Sequence, residues 1–147
     1  RLLRTYVRPS TSGGAVHPTT RGLAVCHHEV VQRILIVDDH PSFRASARAV
    51  LEADGFEVVG EAEDGESALH AVRTLAPDVI LLDVQLPDAN GFDLCTLICA
   101  NPSRLPSIVL VSSRDAADYD GLIDTSPARG FISKADLTGD AVRALLA

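Results

Sequence analysis

Four consecutive large apolar residues, Val79 to Leu82, end abruptly on an ionisable side chain, Asp83. No other stretch constrains this chain as much. The run is too short for a helix of its own and shows no polar alternation, which is how a strand reads when both its faces are covered in a parallel sheet. Pro87, four positions beyond Asp83, cannot continue a ladder. Asp83 therefore belongs at the carboxyl edge of a central buried strand, and in open α/β sheets ligands bind at that edge. A lone strand-end Asp is more often a turn former, so the role of Asp83 depends on what ends the other strands.

Those ends share a pattern. Ile34-Leu35-Ile36-Val37 is a second buried run and stops on Asp38-Asp39-His40. Pro41 follows as a first helical residue, with Phe43, Ala47, Val50 and Leu51 on one helical face and Gly55 as the stop. Glu57 to Gly60 reads as a short strand. Asp64-Gly65 turns into a second helix with Ala68, Leu69, Val72, Leu75 and Ala76 inward, closed by Pro77. After the Asp83 strand, Gly91 to Ala100 is a third helix (Leu94, Leu97 and Ile98 inward), ended by Asn101-Pro102. Ser107 to Val111 is a fourth strand ending on Ser112-Ser113, and residues 115–124 form a weak helix. Gly130-Phe131-Ile132 is a fifth strand ending at Ser133-Lys134, before a last helix from about Asp136 with Val142, Leu145 and Leu146 as its stripe.

Strand–helix alternation repeated five times predicts a doubly wound α/β fold in three layers, with a five-stranded parallel sheet of the flavodoxin-like order 2-1-3-4-5. That order puts the switch point between strands one and three, so Asp38, Asp39 and Asp83 converge in one crevice. The folded domain spans 31–147. Residues 1–30 mix Arg, Ser, Thr, Gly and Pro without a period and read as a disordered extension. Cys26-His27-His28-Glu29 within it is assigned no site.

Composition narrows the functions. Residues 1–30 hold four Arg against one Glu, leaving nine basic and nineteen acidic residues in the rest. So acidic a domain repels a phosphate backbone, and no nucleic-acid binding by this chain alone is expected. Three Cys without metal-like pairing fit a reducing, cytoplasmic setting, and Cys95 and Cys99 read as core packing on one helix. No apolar run approaches the ~20 residues of a membrane span, so no membrane is expected as a partner. The sequence contains no Met, so residue 1 is not an intact initiator.

Three carboxylates in one crevice repel one another by about 4 kcal/mol per pair at ~4 Å and an effective dielectric of 20. Such a site raises a pKa or recruits a cation. Oxygen ligands of this kind suit magnesium or manganese, with the backbone carbonyl of Gln85 completing the set. The same edge supplies a hydroxyl, Ser112, and an ammonium, Lys134, the one Lys in a chain with twelve Arg. A metal, an ammonium and a hydroxyl around an Asp can cradle a tetrahedral dianion, with Asp83 as a candidate nucleophile.

From Arg33 onward the chain resembles a receiver domain of two-component response regulators, most similar to the NarL/LuxR class. The segments ILIVDDHP (34–41), GEAEDGESAL (60–69), DVILLDVQLPDANGF (78–92) and GFISK (130–134) stand in the family's order and spacing. The resemblance implies Asp83 as phosphoacceptor, Asp38, Asp39 and Asp83 as magnesium ligands, Ser112 as the switch hydroxyl, Lys134 as the phosphate counter-charge and Phe131 as the switch aromatic. It also implies a histidine kinase or phosphotransfer protein as donor, a downstream protein partner, and self-association on phosphorylation. Ser113 departs from the small apolar residue usual there. Gln85 and Arg114 occupy positions that the family varies to set phosphoryl lifetime.

Three rival readings follow. In one, the chain is the receiver portion of a DNA-binding regulator. In the second, it is an aspartate-nucleophile magnesium phosphatase of the haloacid-dehalogenase type, although that family carries Asp-x-Asp after its first strand where this chain has adjacent Asp38-Asp39. In the third, it is an inert receiver-shaped scaffold. On the receiver reading the chain modifies itself and is not a turnover enzyme.

Overall fold

Alternate residues of each central strand point to opposite faces, and the side chains they carry decide which helices cover each face. The computed structural model describes residues 4–6, 27–29, 31–100 and 105–147. Five parallel strands form one sheet: β1 (Arg33–Val37), β2 (Glu57–Ala62), β3 (Val79–Asp83), β4 (Ser107–Ser112) and β5 (Gly130–Ser133). Their order is β2-β1-β3-β4-β5, as the alternation of elements predicts. The helices are α1 (Pro41–Ala53), α2 (Gly65–Leu75), α3 (Gly91–Cys99), α4 (Leu122–Thr125) and α5 (Gly139–Leu146).

Leu35, Val37, Ile80 and Leu82 pack with Ala68 of α2 and Leu94, Cys95 and Ile98 of α3. Ile34, Ile36, Val79 and Leu81 pack with Ala47 and Leu51 of α1 and Val142 and Leu146 of α5. These two cores make the three layers. Burial of Cys95 pushes its thiol up to about 12, in keeping with a packing role.

Local chemistry fixes the ends. Asp64 caps α2 by accepting from Ser67 N at 2.8 Å, while the Ser67 hydroxyl reaches back toward the Asp64 N–H. Asp88, in the loop after β3, accepts from Gly65 N at 2.7 Å and Glu66 N at 3.2 Å, so that loop is anchored on the start of α2. Gly91 opens α3 where no side chain fits: a Cβ there would lie 2.6 Å from the Asp83 carbonyl oxygen.

Several boundaries differ from the sequence reading. β2 runs to Ala62 and bulges at Val59, since Ile34 pairs with Val58 but Leu35 with Gly60. The expected helix over 115–124 is a 3₁₀ turn (Ala116–Tyr119) and the single turn α4, broken where Asp120 and Gly121 both take positive φ. α5 starts at Gly139, capped by Thr138; Lys134–Asp136 form a separate 3₁₀ turn. Val50 and Leu97, expected inward, are exposed, and Ala76 has left α2 for a left-handed cap.

The chain divides into compact units Arg1–Val31 and Gln32–Ala147. Within the first, strand Arg4–Tyr6 pairs antiparallel with His27–Glu29, Thr5 opposite His28. The rest of the 1–30 extension, Cys26 included, lies outside the described residues, as does Asn101-Pro102.

Candidate functional site

The carboxyl ends of β1, β3 and β4 are the only places in the Gln32–Ala147 unit where polar side chains are fully buried among the described residues. These side chains are Asp38, Asp83 and Ser112. Buried polar groups are costly unless paired, and each has a traceable partner. Asp38 Oδ1 accepts from the His40 backbone N–H at 2.8 Å, and Asp83 Oδ1 from Gln85 N at 3.1 Å. Lys134 Nζ, just past the end of β5, lies 2.5 Å from Asp38 Oδ2 and 3.3 Å from Asp83 Oδ2. Its stem passes Phe43, whose ring centroid is 4.6 Å from the ammonium.

The ammonium bridges two of the carboxylates, and lies closer to the more deeply buried one. The electrostatic reason is direct, because Asp38 and Asp83 are the largest concentration of buried negative charge within its reach. Burial pulls the Lys134 ammonium down, but its contacts with Asp38 and Asp83 outweigh that and hold it above the ordinary lysine value. Asp83 is raised as well, which favours its neutral form: burial, reinforced by Asp38, pushes its carboxyl up to about 6 against the opposing Gln85 N–H and Lys134.

Asp38, Asp39, His40 and Asp83 offer ligand atoms within 4.8 Å of one another. Asp38 Oδ2 and Asp39 Oδ1 are buried yet accept no hydrogen bond; Lys134 approaches the first, and His40 Nδ1 lies 3.1 Å from the second. Carboxylate oxygens gathered in a crevice of like charge fit a hard divalent cation. This cluster can hold a metal. Gln85 is exposed and its N–H is turned to Asp83, with its backbone bridged to Asn90.

Ser112 Oγ accepts from Arg114 N at 3.0 Å and lies 2.5 Å from the hydroxyl of Tyr119. Phe131 is half-buried, its ring 5.7 Å from that of Tyr119, which in turn meets Phe92 edge-on at 5.4 Å. Asp38, Asp39, Asp83 and Lys134 are thus brought together; Ser112 and Phe131 share a second cluster built around Tyr119.

Residues 34–144 match the family model of the response regulator receiver domain. The chain belongs to that family. Its receiver is 45% identical over 89 residues to the DNA-binding response regulator MtrA of Mycolicibacterium smegmatis, covering 59% of this chain and 37% of that protein. The chain therefore spans well under half the length of this relative. Among solved structures, the receiver is similar to the signal receiver domain attributed to NarL of Mycobacterium tuberculosis, with 30% identity, TM-score 0.70, and coverage of 79% of this chain and 94% of that one. It is also similar to a LuxR-family two-component response regulator from Aurantimonas, with 26% identity, TM-score 0.70, and coverage of 80% and 84%. The receiver fold and its place in two-component systems, expected from the sequence, are thereby shown. Among the described residues no helix is long and apolar enough to cross a membrane.

Four residues of the receiver site escaped the sequence reading. His40 was legible only as the neighbour of Asp38-Asp39. Arg44, one turn into α1, donates to the Asp38 carbonyl at 2.7 Å and pairs with Glu61 at 3.0 Å, a long-range link no periodicity announces. Asp88 stands inside the 78–92 segment with nothing to mark its reach to the start of α2. Tyr119 is one of two Tyr in the chain, in a segment whose weak apolar pattern concealed its one buried member.

Proposed function

We propose that this receiver accepts a phosphoryl group on Asp83 from a kinase phosphohistidine, a phosphotransfer protein or a small acyl phosphate, and that it does so with magnesium or manganese. The observation that supports this most is the burial of Asp83 between Asp38 and Lys134, with the carboxylate oxygens of Asp38 and Asp39 clustered beside it. An Asp83 carboxylate oxygen attacks phosphorus while the bond from phosphorus to the donor's nitrogen or acyl oxygen breaks, its electron pair leaving with the donor. Asp38, Asp39, Asp83 and the Gln85 carbonyl would hold the metal, whose positive charge would stabilise the phosphoryl oxygens. Lys134 then exchanges a carboxylate for a phosphoryl oxygen, Ser112 donates to another, and Phe131 turns inward as the loop after β4 closes.

On this reading the chain is a cytoplasmic signalling protein that modifies itself and is not a turnover enzyme. It hands its conformational change to a protein partner or to a second copy. Intact-mass spectrometry after acetyl phosphate treatment is expected to show one added phosphoryl, lost in Asp83→Asn and in chelator. Labelling that survives Asp83→Asn would refute the assignment.

The length of the curated relatives favours a second reading of the output, in which the receiver controls DNA binding by a longer regulator. The acidic Gln32–Ala147 unit would then bind no DNA by itself. Fluorescence anisotropy on this chain is expected to show no sequence-specific binding at physiological salt.

A further inference from the structure

Tyr119 is the only buried residue between Ser113 and Arg129. Everything else there is exposed or half-buried, and the backbone is cut into two short turns by the positive φ of Asp120 and Gly121. The segment that follows β4 is therefore held to the sheet chiefly through one ring. That ring carries a hydroxyl, and the hydroxyl lies 2.5 Å from Ser112 Oγ.

We propose that Tyr119 is a latch on Ser112: its hydroxyl holds Ser112 Oγ in the unmodified receiver, and engagement of Ser112 by a phosphoryl group on Asp83 releases Tyr119 and with it the 113–128 segment. This rests on the phosphoacceptor reading above and adds a positioning residue to it.

The hydrogen-bonding capacity of Ser112 makes the two partners competitors. A hydroxyl has one proton and two lone pairs, and Arg114 N already uses one lone pair. Where Ser112 donates to Tyr119, its one proton is committed. Where Tyr119 donates, the two oxygens are still held 2.5 Å apart, so an Oγ drawn toward Asp83 leaves Tyr119 behind. A Tyr hydroxyl left buried without a partner is costly, which drives the ring out of its place between Phe92 and Phe131. The space it vacates adjoins Phe131, whose inward turn then becomes sterically open. Two packings of three rings are thereby coupled to one hydroxyl contact.

Tyr119→Phe keeps the ring and removes the latch, and Ser112 Oγ retains the Arg114 N–H. Resting-state stabilisation falls by one neutral hydrogen bond, and beryllofluoride is expected to half-saturate the amide NMR shifts of residues 112–134 at about fivefold lower concentration than in wild type. The second measurement uses wild-type Tyr119. The chain contains no Trp and two Tyr, so in Tyr6→Phe all tyrosine emission comes from Tyr119, and it is expected to change with the same half-saturation as the amide shifts. Half-saturation of Tyr119→Phe at or above the wild-type concentration overturns the latch. So does Tyr119 emission that stays constant through saturation, and that measurement decides alone should Tyr119→Phe not fold. Absence of phosphoryl uptake in wild type refutes the phosphoacceptor reading itself. Uptake on Asp83 with neither Tyr119 effect refutes only the latch.

Discussion

The two sides of the crevice are built in opposite ways. On the carboxylate side, Asp38 and Asp83 end strands in which every residue but the half-buried Arg33 is buried, and the flanking connections are fastened. Arg44 holds the Asp38 carbonyl, Asp88 caps α2, and α3 begins against the Asp83 backbone through Gly91. On the hydroxyl side, β4 is equally buried up to Ser112, but the chain beyond it has one buried ring in sixteen residues. The contrast matches the demands of a switch. A metal and a nucleophile need fixed geometry, whereas a response needs a segment whose alternative packing lies within a few kcal/mol.

The largest effect is expected where the fastened side carries uncompensated charge. Lys134→Met preserves the stem against Phe43 but leaves Asp38 and Asp83 without their cation. Removing one member of a buried ion pair costs about 4 kcal/mol, so metal-free Lys134→Met should unfold at much lower urea than wild type at pH 7, with magnesium restoring part of the loss. A variant as stable as wild type without metal would show that the carboxylates are not under electrostatic load.

Gly91→Ala comes next. Its Cβ would lie 2.6 Å from Asp83 O and 2.7 Å from Val84 Cα, both backbone atoms that cannot rotate away. Overpacking of this kind costs about 3 kcal/mol, read as a drop in the urea midpoint at unchanged slope.

The pH dependence of Asp83 probes the same side more gently. Its folded-state carboxyl is raised to about 6 from an ordinary 3.8, mainly by burial. A raised carboxyl contributes stability that is present below the unfolded value and lost as pH rises through about 6. Asp83→Asn removes that loss, so in metal-free protein its stability relative to wild type should grow by about 2 kcal/mol between pH 4 and pH 7 and then level off. Parallel thermal melts of the two proteins across that range test the sign. A gap that shrinks with rising pH would mean that Lys134 outweighs burial.

How much of this was legible follows the same division. β1, β3 and β4 announce themselves because residues buried on both faces need no pattern beyond a run of Val, Ile and Leu, and the strand order carries Asp38, Asp39 and Asp83 into one crevice. What the sequence could not show was which partner Lys134 takes, since a flexible stem lets the ammonium cross to Asp38. Nor did it show the hydroxyl side. The 115–124 stretch reads as a weak helix because Ala116, Ala117, Tyr119, Leu122 and Ile123 are compatible with one. The break comes from Asp120-Gly121 adopting positive φ, a conformation that an Asp-Gly pair favours locally and that the apolar positions on either side of it masked.

The smallest effect is expected at that break, and it tests the contrast from its loose side. Gly121 has φ +86°, yet a Cβ added there meets nothing within 4 Å, unlike the backbone atoms facing Gly91. Gly121→Ala therefore carries only the intrinsic cost of a left-handed alanine, about 1 kcal/mol. Gly121→Asn should cost less still, because Asn tolerates that region and the preceding Asp120 already occupies it at φ 45°. Urea unfolding of Gly91→Ala, Gly121→Ala and Gly121→Asn is expected to rank them in that order of loss. A Gly121→Ala loss near that of Gly91→Ala would mean that the segment after β4 packs as tightly as the start of α3, and the division of the crevice into a fixed and a yielding side would fail.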